Sequence, residues 1–181
     1  MTKYILLTLI LLLGNIPSYS NAEMQILSLP NSIGFGAVIP CKTKKRSVNS
    51  AVGVTNALQC AVDNGVSACI FAISEQPLDV ASFNKSGFKF IEEVHLQYAL
   101  QLDRDYKSIK QNVVNMGTLG RVLNYEITRT QEGVKLNVRG SWMVSNGRML
   151  RGAVSCTVNS AGFMKNESEL FLNSFVIIKN S

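Results

Sequence analysis

The dipeptide Asn64-Gly65 and its flanking segments constrain the fold of this chain more than any other stretch. Two segments of alternating polarity surround it, one ending at Asp63 and the other running to Ile73. Asn-Gly between two such segments is typical of a β-hairpin, because both residues tolerate the positive φ angles of a type I′ turn. The sequence therefore predicts a hairpin over residues 54–73 with a two-residue loop.

A two-residue loop also predicts the strand register. If Asp63 faces Val66, Cys60 lies opposite Cys69 in a pair without backbone hydrogen bonds. Facing Cα atoms in such a pair are about 4.5 Å apart, a distance that a disulfide can span. The two cysteines then share the predicted core face of the hairpin with Leu58, Val62, Phe71 and Ile73.

The chain has four cysteines, and an even number in an exported protein favours disulfides over free thiols. The hairpin register selects Cys60–Cys69 among the three possible pairings. This leaves Cys41 and Cys156 as a second bridge or as two buried thiols. A zinc site is the competing interpretation, but no two cysteines have the spacing of a zinc motif and the chain has one histidine. We predict no metal and no cofactor.

The first 22 residues have the pattern of a secretory signal peptide. Lys3 gives a positive start, residues 5–13 are an unbroken apolar run, and Ala22 ends a stretch of small residues. The run is shorter than the roughly 20 residues that a membrane span needs. We predict a lead-in over 23–33, a single domain over 34–181, and a periplasmic or secreted location.

Strand patterns dominate the remainder of the chain. A short apolar run over 34–39 predicts a strand, and residues 120–158 alternate in polarity around turns at Glu132-Gly133 and Asn146-Gly147. These features predict an antiparallel meander. With the hairpin, they indicate a mostly antiparallel sheet.

Two helices are predicted to accompany the sheet. Apolar residues recur at steps of three and four from Phe88 to Leu102, which predicts an amphipathic helix after an irregular connection over 79–87. Residues 166–178 predict a C-terminal helix with acidic residues in its first turn. The fold class is therefore α+β, with one long inserted helix and a closing helix.

The net charge of +6 indicates an acidic partner. Two more cations, Arg148 and Arg151, follow the second Asn-Gly. No aromatic residue lies within the cationic segment after Pro40, which together with export argues against nucleic acid. We expect the partner to be a protein or the anionic envelope surface. The segment is predicted to be a solvated loop, and its candidate binding residues are Lys42, Lys44, Lys45 and Arg46.

No pattern in the chain indicates catalysis. His95, the single histidine, is predicted at the surface or edge of the long helix, and no Gly-x-Ser-x-Gly motif accompanies it. The acidic residues fall on predicted solvated faces, and no glycine-rich phosphate loop occurs. We therefore predict that the protein is not an enzyme and has no catalytic residue.

Several short stretches resemble the PsbP-like family, which includes the extrinsic photosystem II protein. The resemblance covers most of residues 34–178 and implies an α/β/α sandwich. It also implies a non-catalytic binding or accessory protein. In this chain Cys41 replaces the small residue often found after the proline. The stretches are Ile39-Pro40-Cys41-Lys42, Gln76-Pro77, Leu119-Gly120-Arg121, Asn146-Gly147-Arg148 and Asn173-Ser174-Phe175.

Two functions agree with these features. The first is an exported, non-catalytic binding or accessory protein of the bacterial periplasm or envelope. The alternative is a periplasmic immunity or inhibitor protein that neutralises a toxic effector enzyme, a function that requires no chemistry of its own.

The signal peptide can be tested by mass. Exported protein is expected to begin at Glu23, because signal peptidase cleaves after the small residue Ala22. Intact-mass spectrometry of the exported material measures this, and a mass that retains residues 1–22 would contradict export through a cleaved signal.

Overall fold

The structure is a computed structural model that describes residues 22–29, 33–50, 53–102, 108–131, 133–158 and 162–179. These residues form ten strands, three α-helices and one short 3-10 helix (Gly117–Leu119). The helices are α1 (Val80–Ser86), α2 (Phe88–Leu102) and α3 (Lys165–Asn173). The strands are β1 (Glu23–Leu29), β2 (Ile33–Ile39), β3 (Lys44–Ser50), β4 (Gly53–Asp63), β5 (Ala68–Pro77), β6 (Ser108–Asn115), β7 (Arg121–Gln131), β8 (Val134–Ser145), β9 (Arg148–Thr157) and β10 (Val176–Lys179).

The strands form two antiparallel sheets. The larger sheet has the order β3-β4-β5-β9-β8-β7-β6, so β5 and β9 are central and β3 and β6 are the edges. The smaller sheet has the order β1-β2-β10. The predicted meander is confirmed as β7, β8 and β9, which pair in sequence. Mostly antiparallel sheet with three helices confirms the α+β class.

The two faces of the large sheet pack against different elements. One face, which we call the α3 face, carries Phe71 and Val154 and buries them against the small sheet and Phe171 of α3. The opposite face, the α2 face, carries Tyr125 and Trp142 and buries them with apolar residues of α1 and α2. The large sheet is therefore the middle layer of three. No helix in the described part of the chain is long and apolar enough to cross a membrane.

The small sheet packs closely on the large one where the Phe175 ring contacts Gly152 of β9. A Cβ atom built on Gly152 would lie 2.1 Å from ring atoms of Phe175, which is far inside van der Waals contact. The Phe175 ring also packs edge-on against Phe171. Glycine at this position of β9 therefore leaves the space that the aromatic ring fills.

The first hairpin has a register that differs by two residues from the prediction. Asp63 pairs with Ala68, and Cys60 faces Phe71, so the loop comprises the four residues 64–67. The Asn64 Oδ1 accepts hydrogen bonds from the backbone N–H groups of Val66 and Ser67. The asparagine side chain thus holds a wider loop, as asparagine commonly does in turns.

The second Asn-Gly behaves as predicted. Ser145 pairs with Arg148, and Asn146 and Gly147 have φ angles of 47° and 69°. Positive φ at both central residues is the requirement of a type I′ turn. The same dipeptide therefore closes two different loops in this chain.

The shift of two residues makes the predicted cysteine pairing wrong. The disulfides are Cys41–Cys60 and Cys69–Cys156, and the second joins residues directly opposite each other on β5 and β9. The predicted core face is nevertheless confirmed, with Cys60, Cys69 and Phe71 buried. A shift of the register by an even number of residues keeps each side chain on its original face of the sheet. A shift by an odd number would move every side chain of the strand to the opposite face.

Three predictions near the N-terminal half are wrong. Within the predicted lead-in, Glu23–Leu29 form β1, which pairs with β2 along its whole length. The predicted basic loop becomes a strand at Lys44, where β3 begins. The predicted irregular connection contains helix α1, whose first turn is capped by Asp79, since its carboxylate accepts a hydrogen bond from the Ser82 N–H.

The predicted C-terminal helix is too long. Helix α3 ends at Asn173, and Val176–Lys179 form β10 on the edge of β2. Ser174 connects the two elements, because its Oγ accepts a hydrogen bond from the Val38 N–H and donates one to the Phe171 carbonyl. Pairing with β2 therefore overrides the helical period of the sequence.

Loop length predicts unequal contributions from the two disulfides. Cys69–Cys156 spans 87 residues and Cys41–Cys60 spans 19, so chain-entropy arguments give stabilisation of about 4.6 and about 3.2 kcal/mol. Replacing Cys69 and Cys156 by alanine should lower the melting temperature more than replacing Cys41 and Cys60. Differential scanning calorimetry measures the order, and the reverse order would contradict the assigned pairing.

Candidate functional site

Four exposed cations form a continuous group at one edge of the large sheet. Lys42 precedes β3, and the next three cations lie on the strand itself. None of the four forms an ion pair with a described residue. We call this group the basic edge, and its members are Lys42, Lys44, Lys45 and Arg46.

The backbone of β3 is paired on one side. Strand β3 is hydrogen-bonded to β4 and has no second neighbour among the described strands. An edge strand presents a row of unpaired N–H and C=O groups, which an extended segment of another chain can use. Lysine and arginine on such an edge discourage pairing with a second copy, since the like charges repel. The same charges favour an acidic strand.

Alternation along β3 distributes the cations between the two faces of the sheet. Lys44 pairs with Gln59 and Arg46 with Ala57, and these residues lie on the α2 face. Lys45 lies on the α3 face, opposite Leu58. The basic edge therefore presents positive charge to both sides of the strand.

Small, half-buried side chains form a floor beside Lys44 and Arg46. On the α2 face of β4 and β5, three of the four residues next to these cations are alanine or serine and the fourth is glutamine, and none of them is fully buried. Such side chains leave room for a partner to approach the sheet closely. The floor residues are Ala57, Gln59, Ala72 and Ser74.

Arg151 lies across this floor from the basic edge. The register places Arg46, Ala57, Ser74 and Arg151 in one row across β3, β4, β5 and β9. Three strand spacings of about 4.8 Å put the Cα atoms of Arg46 and Arg151 about 14 Å apart. The Arg151 Nε donates a hydrogen bond of 2.7 Å to the Tyr125 hydroxyl, so this cation is held in place.

Arg148, the remaining candidate, lies on the opposite face and binds within the protein. Its guanidinium donates to the carboxylate of Glu75, which is 1% exposed. The Asn56 amide donates to the same carboxylate and accepts a hydrogen bond from Ser47. This network ties β3 to the centre of the sheet. Because its charge is engaged by Glu75, Arg148 is not part of the candidate site.

His95 is buried, so the prediction of a surface or edge histidine is wrong. The side chain is fully inaccessible, and its ring centroid lies 4.1 Å from that of Tyr125. The Trp142 Nε1–H donates a hydrogen bond of 3.0 Å to the His95 Nδ1. Within the described residues, the His95 Nε2 has no hydrogen-bond partner. The contact with Trp142 requires an unprotonated Nδ1 and therefore a neutral imidazole.

Burial and charge act together on this histidine. Desolvation, with a smaller contribution from the nearby positive charge of Arg151, lowers the pKa of His95 to about 4. The Arg151 guanidinium lies 5.5 Å from the centre of the Trp142 ring, which links the buried cluster to the floor. Tyr125 and Trp142, the rings packed around His95, are therefore also the rings that contact Arg151 at the candidate site.

Sequence reasoning missed Glu75, Tyr125 and Trp142. Glu75 continues the alternation of Cys69, Phe71 and Ile73, so the sequence places it on the core face of β5. An acidic residue on a core face is expected to be buried and paired with a cation, and this pattern could have identified Glu75. Tyr125 and Trp142 gave no comparable signal, because their contacts with His95 join strands and a helix distant in sequence.

The described residues contain no group of three or more histidine, cysteine or acidic side chains arranged to hold a metal ion. All four cysteines are in disulfides.

Comparison with known proteins gives likenesses of structure. No family model and no curated protein matches the chain. The structure is similar to that of cyanobacterial PsbP (CyanoP) from Synechocystis sp. PCC 6803, with 15% identity, a TM-score of 0.47, and coverage of 92% of this chain and 99% of that chain. It is also similar to LpqN of Mycobacterium tuberculosis, with 10% identity, a TM-score of 0.39, and coverage of 87% and 92%.

The first of these structures is that of a PsbP, the protein after which the family that the sequence resembles is named. LpqN is a protein involved in cell envelope biogenesis.

Protonation of His95 should destabilise the protein. Its folded pKa of about 4 is below the unfolded value of 6.5, so the stabilisation present above pH 6.5 is lost as the pH falls to about 4. The shift corresponds to about 3 kcal/mol of unfolding free energy. Urea unfolding between these pH values measures the loss, and His95→Gln should show a smaller one. Equal pH dependence in both proteins would contradict the buried neutral imidazole.

Proposed function

We propose that this protein is an exported, non-catalytic binding or accessory protein whose basic edge binds an acidic segment of a protein partner. The observation that carries the proposal is that the exposed cations of β3 have no ion-pair partner, and the strand edge no second neighbour, among the described residues. Each feature alone has an ordinary structural explanation. Their coincidence on one strand supports binding of a chain with opposite charge.

Edge-strand addition is the binding mode that this geometry favours. An extended partner would bond to the free N–H and C=O groups of β3, and its side chains would alternate between the two faces. Acidic residues at alternate positions would meet Lys44 and Arg46 on the α2 face. An acidic residue between them would meet Lys45. Backbone bonds would then supply affinity, and charge would supply selectivity.

Arg151 extends the same positive surface toward the centre of the sheet. Its hydrogen bond to Tyr125 and its position over the Trp142 ring fix the guanidinium beside the floor. A partner wider than one strand would contact both Arg46 and Arg151. We therefore include Arg151 in the proposed surface and leave out Arg148, which is bound to Glu75.

Export is supported by two independent features. The sequence begins with the positive charge, the apolar run and the small residues before the cleavage site that are typical of a signal peptide. The cysteines form two disulfides, which persist in oxidising compartments. The proposed location is therefore the periplasm or the outside of the cell.

The second candidate function is inhibition of a toxic enzyme in the periplasm. Enzymes that act on basic or cationic substrates present acidic surfaces, and the basic edge has the charge to cover such a surface. In this case the bound partner would be an enzyme whose activity falls on binding. The same surface residues would be required, so the identity of the partner separates the two functions.

The proposal predicts salt-sensitive binding through β3. A labelled peptide of alternating glutamate and threonine should bind the native protein at low salt and dissociate as the screening length falls from about 10 Å at 0.1 M to about 3 Å at 1 M. Replacing Lys44, Lys45 and Arg46 by glutamine should weaken binding about tenfold, since each of the three lost exposed charge pairs contributes about 0.5 kcal/mol, or about 1.5 kcal/mol together. Fluorescence anisotropy measures the affinity.

A matched control removes three cations elsewhere. Lys85, Lys89 and Lys110 are exposed and lie outside the basic edge, so their replacement by glutamine changes the net charge equally. The control should bind the peptide nearly as well as the native protein. Equal weakening in both variants would show that net charge, and not the basic edge, attracts the peptide.

A further inference from the structure

The small sheet has one face that is apolar and lies at the protein surface. Leu27 and Phe35 pair with each other on its inner face, where both are buried against the large sheet. Met24 and Ile26 alternate with Leu27 along β1, so they point to the opposite side, with exposed fractions of 45% and 48%. We call this surface the outer face, and its members are Met24, Ile26, Ser28, Gly34, Gly36, Val38, Val176 and Ile178.

Two glycines of β2 make the outer face continuous. A Cβ atom built on Gly34 would lie 2.8 Å from the Ile26 Cγ2. One built on Gly36 would lie 3.2 Å from both the Met24 Sδ and the Val176 Cγ2. Side chains of β1 and β10 therefore lean over the central strand and close the space above it. The result is a flat apolar surface, since none of its members is charged.

Positive charge borders the outer face at one end. Val38 of the outer face is followed four residues later by Lys42, which is exposed. The Thr43 hydroxyl donates a hydrogen bond of 3.2 Å to the Gln25 side chain, which ties the start of the basic edge to β1. Lys45 lies on the α3 face, the side of the large sheet that carries the small sheet. The basic edge thus adjoins the outer face.

Charge complementarity favours an anionic partner for the outer face. Lys42 and Lys45 are exposed and have no ion-pair partner among the described residues. Glu23, at the same end of β1, is the one acidic residue in the three strands of the small sheet. The cations of the basic edge outnumber this acid, so the margin of the outer face is positive.

The size of the outer face distinguishes a lipid surface from a protein partner. Three strands about 4.8 Å apart, with seven residues of about 3.3 Å each, give a face of about 300 Å². A stable protein interface buries about 800 Å² on each partner, which is more than this face provides. A lipid surface needs no such area, because separate apolar side chains can enter it while neighbouring cations bind the headgroups.

We propose that the outer face binds the surface of a membrane that contains anionic phospholipids. Met24 and Ile26 enter the lipid below the headgroups, and Lys42 and Lys45 bind phosphate groups at the margin. Helices α1 and α2 then lie away from the membrane, since they cover the opposite face of the large sheet. This inference goes beyond the function proposed above and does not rest on it.

Sedimentation with vesicles tests the outer face. The exported protein should bind vesicles of phosphatidylcholine and phosphatidylglycerol in equal parts at low salt, and should bind pure phosphatidylcholine much more weakly. Replacing Met24 and Ile26 by serine should weaken binding to the anionic vesicles about tenfold or more, because two half-exposed apolar side chains no longer enter the lipid. Absence of binding by the native protein, or equal binding by this variant, would overturn the proposal.

A second variant tests the cations. Replacing Lys42 and Lys45 by glutamine should weaken binding to the anionic vesicles about thirtyfold, since two charges near the lipid surface are lost. Lys85→Gln with Lys89→Gln removes the same charge from the exposed surfaces of α1 and α2 and should leave binding nearly unchanged. Equal losses in both variants would overturn the assigned orientation.

Two further measurements make the result specific. Val66→Ser with Val80→Ser removes exposed apolar side chains outside the small sheet, and equal weakening by this variant would overturn the proposal. Light scattering should show a native monomer, whereas a dimer that the Met24 and Ile26 variant dissociates would assign the face to a second copy and overturn the proposal. That variant should still bind the acidic peptide, which keeps this test separate from that of the basic edge.

Discussion

The pairing of β5 with β9 is the constraint on which the remaining structure depends. These strands lie at the centre of the seven-stranded sheet, and Cys69–Cys156 joins them directly across the ladder. The register of β4 is set by its pairing with β5, and the register of β3 is set by its pairing with β4. The row from Arg46 to Arg151 and the division of the basic edge between two faces both follow from this central pair.

The two Asn-Gly dipeptides show how far a local pattern can predict a register. Asn146-Gly147 follows the rule, whereas the Asn64 side chain bonds two later N–H groups and holds a longer loop. Alternation of polarity predicted the buried face correctly, because a shift of two residues leaves the face unchanged. It could not predict the disulfides, since their pairing depends on Cys41 and on the distant strand β9.

The candidate site was predictable only in part. A cluster of cations after Pro40 is visible in the sequence, and the structure places all of them at the surface. Their position on an edge strand depends on the sheet order, which no local pattern contains. Arg148 could not be separated from the others by sequence, because its partner Glu75 is 73 residues away. The burial of His95 likewise depends on Trp142, which approaches from a distant strand.

Disulfide connectivity tests the central register most directly. Non-reducing peptide mapping of the exported protein should yield two linked peptides, one joining Cys41 to Cys60 and the other joining Cys69 to Cys156. These links require the four-residue loop after Asp63 and the opposition of β5 and β9. A peptide that links Cys60 to Cys69 would contradict this register and, with it, the arrangement of cations across the sheet.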